Sequence, residues 1–236
     1  MRVEGSVALV TGASRGLGAV FTRTLLERGA TRVYAAARNP SAVAAMPGVV
    51  PLRLDVTHPD EVSAAAAACQ DVTLVVNNAG LATGATALGE RALEDGRREM
   101  ETNVFGLLAV SRAFAPVLAT NGGGALVNVL SVLSWVTFPS APLYAATKAA
   151  AWSLTNGLRL ALKPQGTLVV GVHCGFIDTD MSAGIEAPKT SPEVVVARTL
   201  EALEAGHNEV LVDDLSRTVR AALSGDLANL YPALAA

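Results

Sequence analysis

Short runs of apolar, mostly β-branched residues alternate with longer helical patterns along the whole chain of 236 residues. The apolar runs predict seven strands, at residues 7–11, 31–36, 49–54, 72–76, 125–130, 168–173 and 209–212. Nearly all are apolar on both faces, which is typical of strands in a parallel sheet covered by helices on both sides. The helical patterns lie at residues 17–28, 59–70, 96–119, 143–163 and 192–205. Together they predict an α/β fold with a doubly wound parallel sheet of seven strands and helices on both faces.

Composition narrows the class of protein further. Apolar residue types make up 51% of the chain, charged residues 17%, and the formal net charge is −3. This balance excludes an intrinsically disordered chain and argues against a dedicated nucleic-acid binder, which needs a basic excess to neutralise phosphates. Because no linker-like stretch or charge run interrupts the alternation, we expect a single domain over residues 1–236.

Cysteine, histidine and hydropathy patterns bear on compartment and metal binding. The only two cysteines, Cys69 and Cys174, are expected to be free thiols in a reducing cytosol. Three histidines show no metal-ligand spacing, so we expect no metal. The sequence shows no signal-peptide pattern. Residues 113–147 carry no charge, but prolines and glycines interrupt them, so we interpret this stretch as buried core of a cytoplasmic protein and not as a membrane span.

Ligands of a doubly wound sheet bind beyond the carboxyl ends of its strands, and the first motif lies there. The run Thr11-Gly12-Ala13-Ser14-Arg15-Gly16-Leu17-Gly18 follows the first strand and opens a helix. Glycines at such a turn let the backbone approach a pyrophosphate, whose charge then meets the helix N-terminus. The spacing Gly-x-x-x-Gly-x-Gly differs from the common dinucleotide fingerprint and resembles the short-chain dehydrogenase/reductase family, a family with the Rossmann fold.

The end of the second strand bears on the choice of dinucleotide. It carries Arg38 and no carboxylate that could bind a ribose 2′-hydroxyl, and Arg15 lies in the glycine loop. Two guanidinium groups can clamp a 2′-phosphate, so the sequence predicts NADP(H), with NAD(H) less favoured. The alternative is that both arginines are solvated surface charges. Asp55 and Val56 resemble the family's adenine contact, although an Asp there could also simply begin a turn.

The motif Tyr144-Ala145-Ala146-Thr147-Lys148 places a phenol and an ammonium group one helical turn apart. Ser131 stands thirteen residues upstream, at the end of the fifth predicted strand. A nearby cation stabilises phenolate, so we expect the pKa of Tyr144 to fall far enough for acid–base work near neutral pH. Asn103 and the run Asn77-Asn78-Ala79-Gly80 precede this motif in the family's order. The resemblance therefore covers nearly the whole chain.

The resemblance implies a catalytic set of Asn103, Ser131, Tyr144 and Lys148. Ser131 and Tyr144 would polarise a carbonyl oxygen, Tyr144 would exchange a proton with it, and Asn103 would hold a proton-relay water at a distorted helix turn. The implied cofactor-binding residues are Gly12, Ser14, Arg15, Gly16, Leu17, Gly18, Arg38, Asp55, Val56, Asn77, Ala79, Gly80, Tyr144, Lys148, Gly175, Ile177 and Thr179. The cofactor half then spans about residues 1–125 and the catalytic and substrate half about residues 126–236. Cys174 stands where the family has a proline, and we expect a looser turn there.

The substrate pocket is predicted from the segments after Ser131 and Thr179, with Leu133, Trp135, Phe138 and Met181 as its walls. Such walls favour a small-molecule ketone, aldehyde or alcohol with a hydrophobic or aromatic group, although these side chains could also be core or subunit contacts. The expected activity is that of an NADP(H)-dependent alcohol dehydrogenase or carbonyl reductase. Family members commonly form dimers or tetramers, here through the helices predicted at 96–119 and 143–163.

Two alternative functions remain open from the sequence. One is a reductase of 3-oxoacyl chains on a carrier protein, whose docking would need basic residues such as Lys189 and those within 91–98. The other is a catalytically silent NADP(H) sensor or scaffold, which would not need the acid–base set.

Overall fold

One parallel sheet organises residues 1–231, the part of the chain that the computed structural model describes. Its strands are β1 (Val7–Thr11), β2 (Arg32–Ala37), β3 (Val49–Arg53), β4 (Leu74–Asn77), β5 (Ala125–Val129), β6 (Leu168–His173) and β7 (Glu209–Leu211). They are ordered β3-β2-β1-β4-β5-β6-β7, and every pairing is parallel. The predicted seven-stranded, doubly wound parallel sheet is confirmed. The strand order reverses between β1 and β4, which opens a crevice at their carboxyl ends.

Helices connect the strands and cover both faces of the sheet. They are α1 (Gly16–Glu27), α2 (Pro59–Ala68), α3 (Ala92–Met100), α4 (Leu107–Thr120), α5 (Pro142–Leu162), α6 (Pro192–Glu204), α7 (Asp214–Ala222) and α8 (Leu227–Leu230). Successive strand residues point to opposite faces, so Ala8 and Val10 of β1 join one core cluster and Leu9 joins the other. Helices α1 and α6 pack on the first cluster, and α2 and α4 on the second.

The helix predicted at residues 96–119 differs from the observed one in an informative way. It begins at Ala92 and runs to Thr120, and its middle, Glu101–Gly106, is a π-helical turn between α3 and α4. By length and composition this continuous helix could cross a membrane. Val110, Phe114 and Leu118 of α4 are buried in the core, however, which is the arrangement of a core helix in a soluble protein.

Other differences lie at the ends of elements and after β7. Most predicted ends shift by one or two residues, as helix and strand ends commonly do. Strand β3 is mostly exposed because it is an edge strand, a position that also tolerates Pro51. Helices α7 and α8 were not predicted. Both carry an N-terminal carboxylate cap, from Asp213 and Asp226 respectively.

Candidate active site

A cavity of about 600 Å³ lies at the carboxyl edge of the sheet. The segments that line it follow β1 to β6, as the crevice at the reversal of strand order requires. Most of the residues predicted from sequence line it: Gly12, Ser14, Arg15, Gly16, Leu17, Gly18, Arg38, Asp55, Val56, Ala79, Gly80, Ser131, Leu133, Phe138, Tyr144, Lys148, Gly175, Ile177, Thr179 and Met181. The nucleotide-type motifs and the acid–base motif therefore share one cavity.

The glycine loop has the shape that a bound pyrophosphate needs. Gly12 and Gly16 have φ values of 67° and 53°, in the left-handed region that disfavours other residues. A Cβ at Gly18 would lie 2.2 Å from the carbonyl oxygen of Gly12, so no side chain fits there. The first turn of α1 has no side-chain cap and no acidic residue, which leaves its N–H groups available to an anion. The loop therefore fits a dinucleotide phosphate.

Arg15 and Arg38 both lie at the wall of this cavity with exposed side chains. Arg15 pairs with Asp180 at 2.8 Å, but the two side chains are 73% and 75% exposed. An exposed pair of this kind contributes about 0–1 kcal/mol, so Arg15 can turn from Asp180 to a phosphate at little cost. Burial tends to raise the pKa of Asp55, but hydrogen bonds from Thr57 and nearby cations hold it below its usual range, so Asp55 is a carboxylate turned to its own loop.

Three side chains of the acid–base set line the cavity, namely Ser131, Tyr144 and Lys148. Ser131, just after β5, accepts a hydrogen bond at Oγ from the N–H of Leu133 at 3.1 Å, which orients the hydroxyl and leaves its hydrogen to donate. Lys148 on α5 is buried and donates from Nζ to the carbonyl oxygen of Val129 at 2.8 Å. Its Nζ lies 5.4 Å from the centroid of the Tyr144 ring. The ammonium group is thus fixed beside the phenol, over its ring.

The electrostatics of this pair differ from the expectation. Burial raises the pKa of Tyr144, with smaller contributions from Cys174 and Glu99, and burial lowers the pKa of Lys148 to about 8. Desolvation is the largest cause of both shifts, and neither pKa carries a contribution from the other member of the pair. The expected fall in the pKa of Tyr144 is therefore not produced by these two side chains alone.

Residues 6–190 match the family model described as short chain dehydrogenase. The chain belongs to the short-chain dehydrogenase family. Membership makes the protein an oxidoreductase. A solved short-chain dehydrogenase from Burkholderia cenocepacia, crystallised in complex with NADP, is 42% identical, with a TM-score of 0.95 over 100% of both chains.

Relatives of this short-chain dehydrogenase carry names that refer to chemically different substrates. The 3-oxoacyl-(acyl-carrier-protein) reductase of Vibrio cholerae is 34% identical over 78% of this chain and 79% of its own length. The 3-alpha-(or 20-beta)-hydroxysteroid dehydrogenase of Mycobacterium bovis is 28% identical over 87% of this chain and 81% of its own length. The family and the fold are shared, while the names of the relatives span acyl and steroid chemistry.

Two asparagines of the predicted site lie beneath the cavity wall of this dehydrogenase. Asn77 was predicted to stabilise the central sheet while its backbone faces the cofactor, and its buried side chain donates to Ser111 and Asn128 and so ties β4 to its neighbours. Asn103 donates to the carbonyl of Leu81 and to Thr147, and its Oδ1 accepts from the N–H of Leu81. Both N–H donors of its side chain are therefore used. The π-helical turn around Asn103 is the distortion that the family resemblance implies.

Trp135 was predicted to line the substrate pocket and does not. The 3₁₀ turn Val132–Ser134 directs Leu133 into the cavity and turns Trp135 away from it. The indole stacks on the buried His173 ring at a centroid distance of 3.9 Å, and His173 donates from Nδ1 to the carbonyl of Ser131 at 3.0 Å. Trp135 thus supports the backbone beneath Ser131 and leaves substrate contact to other residues.

The turn at Cys174 is held on both sides, contrary to the expectation of a looser turn. The carbonyl of Cys174 accepts from the N–H of Val132 at 2.8 Å. The N–H of Gly175 donates to the Asp213 carboxylate at 2.6 Å. These two bonds supply the rigidity that the family proline would otherwise give.

Several apolar residues of the cavity were missed by sequence reasoning. Phe176, Ile185 and Leu215 line it beside Phe138 and Met181. Leu215 comes from α7, and the signal that could have found it is the capping residue Asp213 followed by apolar residues at helical spacing. Phe176 and Ile185 lie in irregular backbone, where no periodic signal is available.

Proposed function

We propose that this short-chain dehydrogenase interconverts a ketone or aldehyde and the corresponding alcohol, using NADP(H), on substrates with a hydrophobic or aromatic group beside the carbonyl. The observation that carries the proposal is that Ser131, Tyr144 and Lys148 line the same cavity as the glycine loop. A hydroxyl, a phenol and an ammonium group placed beside a dinucleotide cradle suit hydride transfer coupled to proton transfer.

Each residue of the set has a distinct proposed role. NADPH, when bound, supplies the hydride. Ser131 and Tyr144 donate hydrogen bonds to the carbonyl oxygen and stabilise the negative charge that develops there. Tyr144 then gives that oxygen its proton, and in alcohol oxidation it takes the proton back. Lys148 supplies the positive charge beside the phenol, and the π-helical turn at Asn103 gives the proton a way to solvent.

The preference for NADP(H) is supported by the charges at the end of β2 and in the glycine loop. Arg15 and Arg38 reach the cavity wall, and the strand ends without a carboxylate that would repel a 2′-phosphate. The relative from Burkholderia cenocepacia, which matches the chain over its full length, was crystallised with NADP.

The preference for hydrophobic carbonyl compounds is supported by the outer part of the cavity. Phe138, Met181, Ile185 and Leu215 line it, and their side chains are 37–56% exposed. These apolar groups at the mouth can cover a hydrocarbon or aromatic substituent and offer nothing to a phosphate or a dicarboxylate.

Reduction of a carrier-bound 3-oxoacyl chain is a second candidate, favoured by the 34% identity to the Vibrio cholerae enzyme. The basic patch that would dock an acidic carrier protein is weak. Arg91 pairs with Glu94 and Asp95, and Arg98 pairs with Asp95, so acidic neighbours offset their charge. We therefore place free carbonyl compounds ahead of carrier-bound chains.

We also propose that the enzyme is cytoplasmic and assembles as a homodimer or homotetramer through the α3–α4 helix and α5. Large apolar side chains stand exposed on both: Phe105 is 53% exposed in the π-helical turn, and Leu160 is 77% exposed on α5. Contact between copies would remove these groups from water.

The experiment for the proposed function follows NADPH consumption over a panel of carbonyl compounds. We expect aryl and alkyl ketones and bulky aldehydes to be reduced, and sugar phosphates and dicarboxylates to react poorly. A 3-oxoacyl substrate is offered both as a small thioester and on carrier protein. A strong preference for the carrier-bound form would favour the second candidate. If no compound on the panel caused NADPH to be consumed, the proposal would be contradicted.

A further inference from the structure

A second cavity, of about 1000 Å³, adjoins the active-site cavity on its outer side. It lies between the segment after β5 and the helices α7 and α8, and we call it the α7 chamber. Its walls include Val136, Pro139, Val219, Ala222, Leu227 and Leu230. Neither the glycine loop nor the segments after β2 and β3 contribute to it, so it is a separate space from the cofactor site.

The α7 chamber and the active-site cavity share walls. Val132, Phe138 and Leu215 line both. Phe138 and Leu215 are 38% and 43% exposed, so these partition side chains are not locked into the packed core. Val132 directly follows Ser131, which places this boundary next to the hydroxyl that polarises the substrate carbonyl. Phe138 and Leu215 are thus the partly exposed side chains that stand between a molecule held at Ser131 and the chamber.

The chemistry of the chamber is apolar throughout. Among the described residues that line it, none is charged. Its polar side chains are three threonines, an asparagine and Tyr231, and the phenol oxygen of Tyr231 already accepts a hydrogen bond from the N–H of Thr137 at 3.0 Å. Such a lining stabilises hydrocarbon through burial and gives no partner to a phosphate, carboxylate or ammonium group.

We propose that the α7 chamber binds the apolar tail of the substrate, so that the preferred substrates are carbonyl compounds with an extended alkyl chain. This inference rests on the proposed carbonyl reductase activity and adds the shape of the substrate to it. The carbonyl lies at Ser131 and Tyr144, the chain passes the Phe138–Leu215 partition, and its far end lies against α7 and α8. A compact ketone uses only the inner cavity.

A homologous series of straight-chain methyl ketones, from butanone upward, tests the chamber. Each buried methylene contributes about 0.8 kcal/mol, which is about fourfold in kcat/KM at 25 °C. We expect kcat/KM to rise by about this factor with each added methylene until the chamber is filled and then to level off. If kcat/KM does not rise with chain length from butanone onward, the proposal is overturned.

Two neighbouring alanines on α7 provide a matched pair of variants. Ala222 lines the chamber, whereas Ala221 is exposed and lies outside both cavities. Ala222→Phe fills the chamber and should lower kcat/KM for the longest ketones by about 10- to 100-fold, the equivalent of two to three methylenes, with butanone unaffected. Ala221→Phe should change neither. Equal loss on short and long ketones in Ala222→Phe would mean that the chamber does not bind the tail.

A binding measurement separates this inference from the proposed reaction. Straight-chain primary alcohols are titrated calorimetrically into the wild type and both variants in the presence of NADPH, with which an alcohol cannot exchange a hydride. We expect the dissociation constant to fall with chain length in the wild type and Ala221→Phe, and not in Ala222→Phe. Binding with this pattern but no turnover of any ketone would refute the proposed activity and leave the chamber supported, whereas chain-independent binding would refute the chamber itself.

Discussion

Replacing Tyr144 by Phe is expected to lower kcat for carbonyl reduction by about 10²- to 10⁴-fold, the usual contribution of a positioned proton donor. The substitution removes one oxygen and keeps the ring that packs beside Val132 and Leu133. Dinucleotide affinity should change far less than kcat, because the glycine loop and the arginines are untouched. Steady-state kinetics and calorimetric titration with NADPH measure the two effects separately.

Tyr34→Phe is the matched control for this variant. Tyr34 also loses a phenol oxygen, but it lies on β2, bonds to Arg32 and Asp71 and does not line the cavity. The activity of the Tyr34→Phe enzyme should equal that of the wild type. A Tyr144→Phe enzyme as active as the parent would remove Tyr144 from the role of proton donor.

Replacing both Arg15 and Arg38 by Ser is expected to lower the preference for NADPH over NADH by about 10²- to 10⁴-fold. Each charged hydrogen bond to the 2′-phosphate contributes about 1.5–3 kcal/mol, which is roughly 10- to 150-fold, and NADH has no such phosphate. The loss should therefore appear in kcat/KM for NADPH and leave kcat/KM for NADH almost unchanged. The ratio of these two constants is the measurement.

Two control variants isolate the contribution of the phosphate contacts. Arg23→Ser removes an equally charged residue of α1 that pairs with Glu27 and Glu193 outside the cavity, and it should leave the ratio unchanged. Asp180→Asn removes the partner of Arg15 but keeps the guanidinium group, so the preference for NADPH should persist or increase. A wild-type enzyme that uses both dinucleotides equally well would contradict the clamp.

The sheet was predictable because each buried strand is a short apolar run that can be recognised in the sequence on its own. Strand β6, Leu168–His173, has the predicted ends, since it is buried on both faces and apolar runs of this kind have few alternatives. The π-helical turn at Glu101–Gly106 is invisible to periodicity, because a single wide turn hardly disturbs the helical pattern. Helix α7 was missed because its exposed, charged composition resembles a surface loop.

Most of the candidate site was predictable for a topological reason. Parallel strands end at one edge, so Gly12 after β1, Ser131 after β5 and Thr179 after β6 must approach one another. The orientation of single side chains was not predictable in the same way. Trp135 lies only four residues after Ser131, yet the 3₁₀ turn between them directs the indole toward His173.

The pKa of Tyr144 could also not be predicted without the three-dimensional structure. The i, i+4 spacing places Lys148 on the same face of α5, but it does not show that Nζ bonds to Val129 and faces the ring. Burial then raises the pKa of Tyr144 and lowers that of Lys148 to about 8. Tyr144 is therefore a neutral phenol, the form that carbonyl reduction uses, and both directions of the reaction depend on further positive charge beside it.

The pH dependence of alcohol oxidation in the wild type and in Lys148→Met tests this account most directly. Oxidation requires Tyr144 without its proton, so kcat/KM should rise with pH as the phenol ionises. Lys148 keeps its proton below its pKa of about 8, so removing the charge leaves burial unopposed in that range. Oxidation near pH 7 should therefore slow in Lys148→Met, whereas Lys148→Arg, which keeps a cation, should stay closer to the wild type. If Lys148→Met shows the same pH profile as the wild type, the phenol is not tuned by this lysine and the proposed mechanism is wrong.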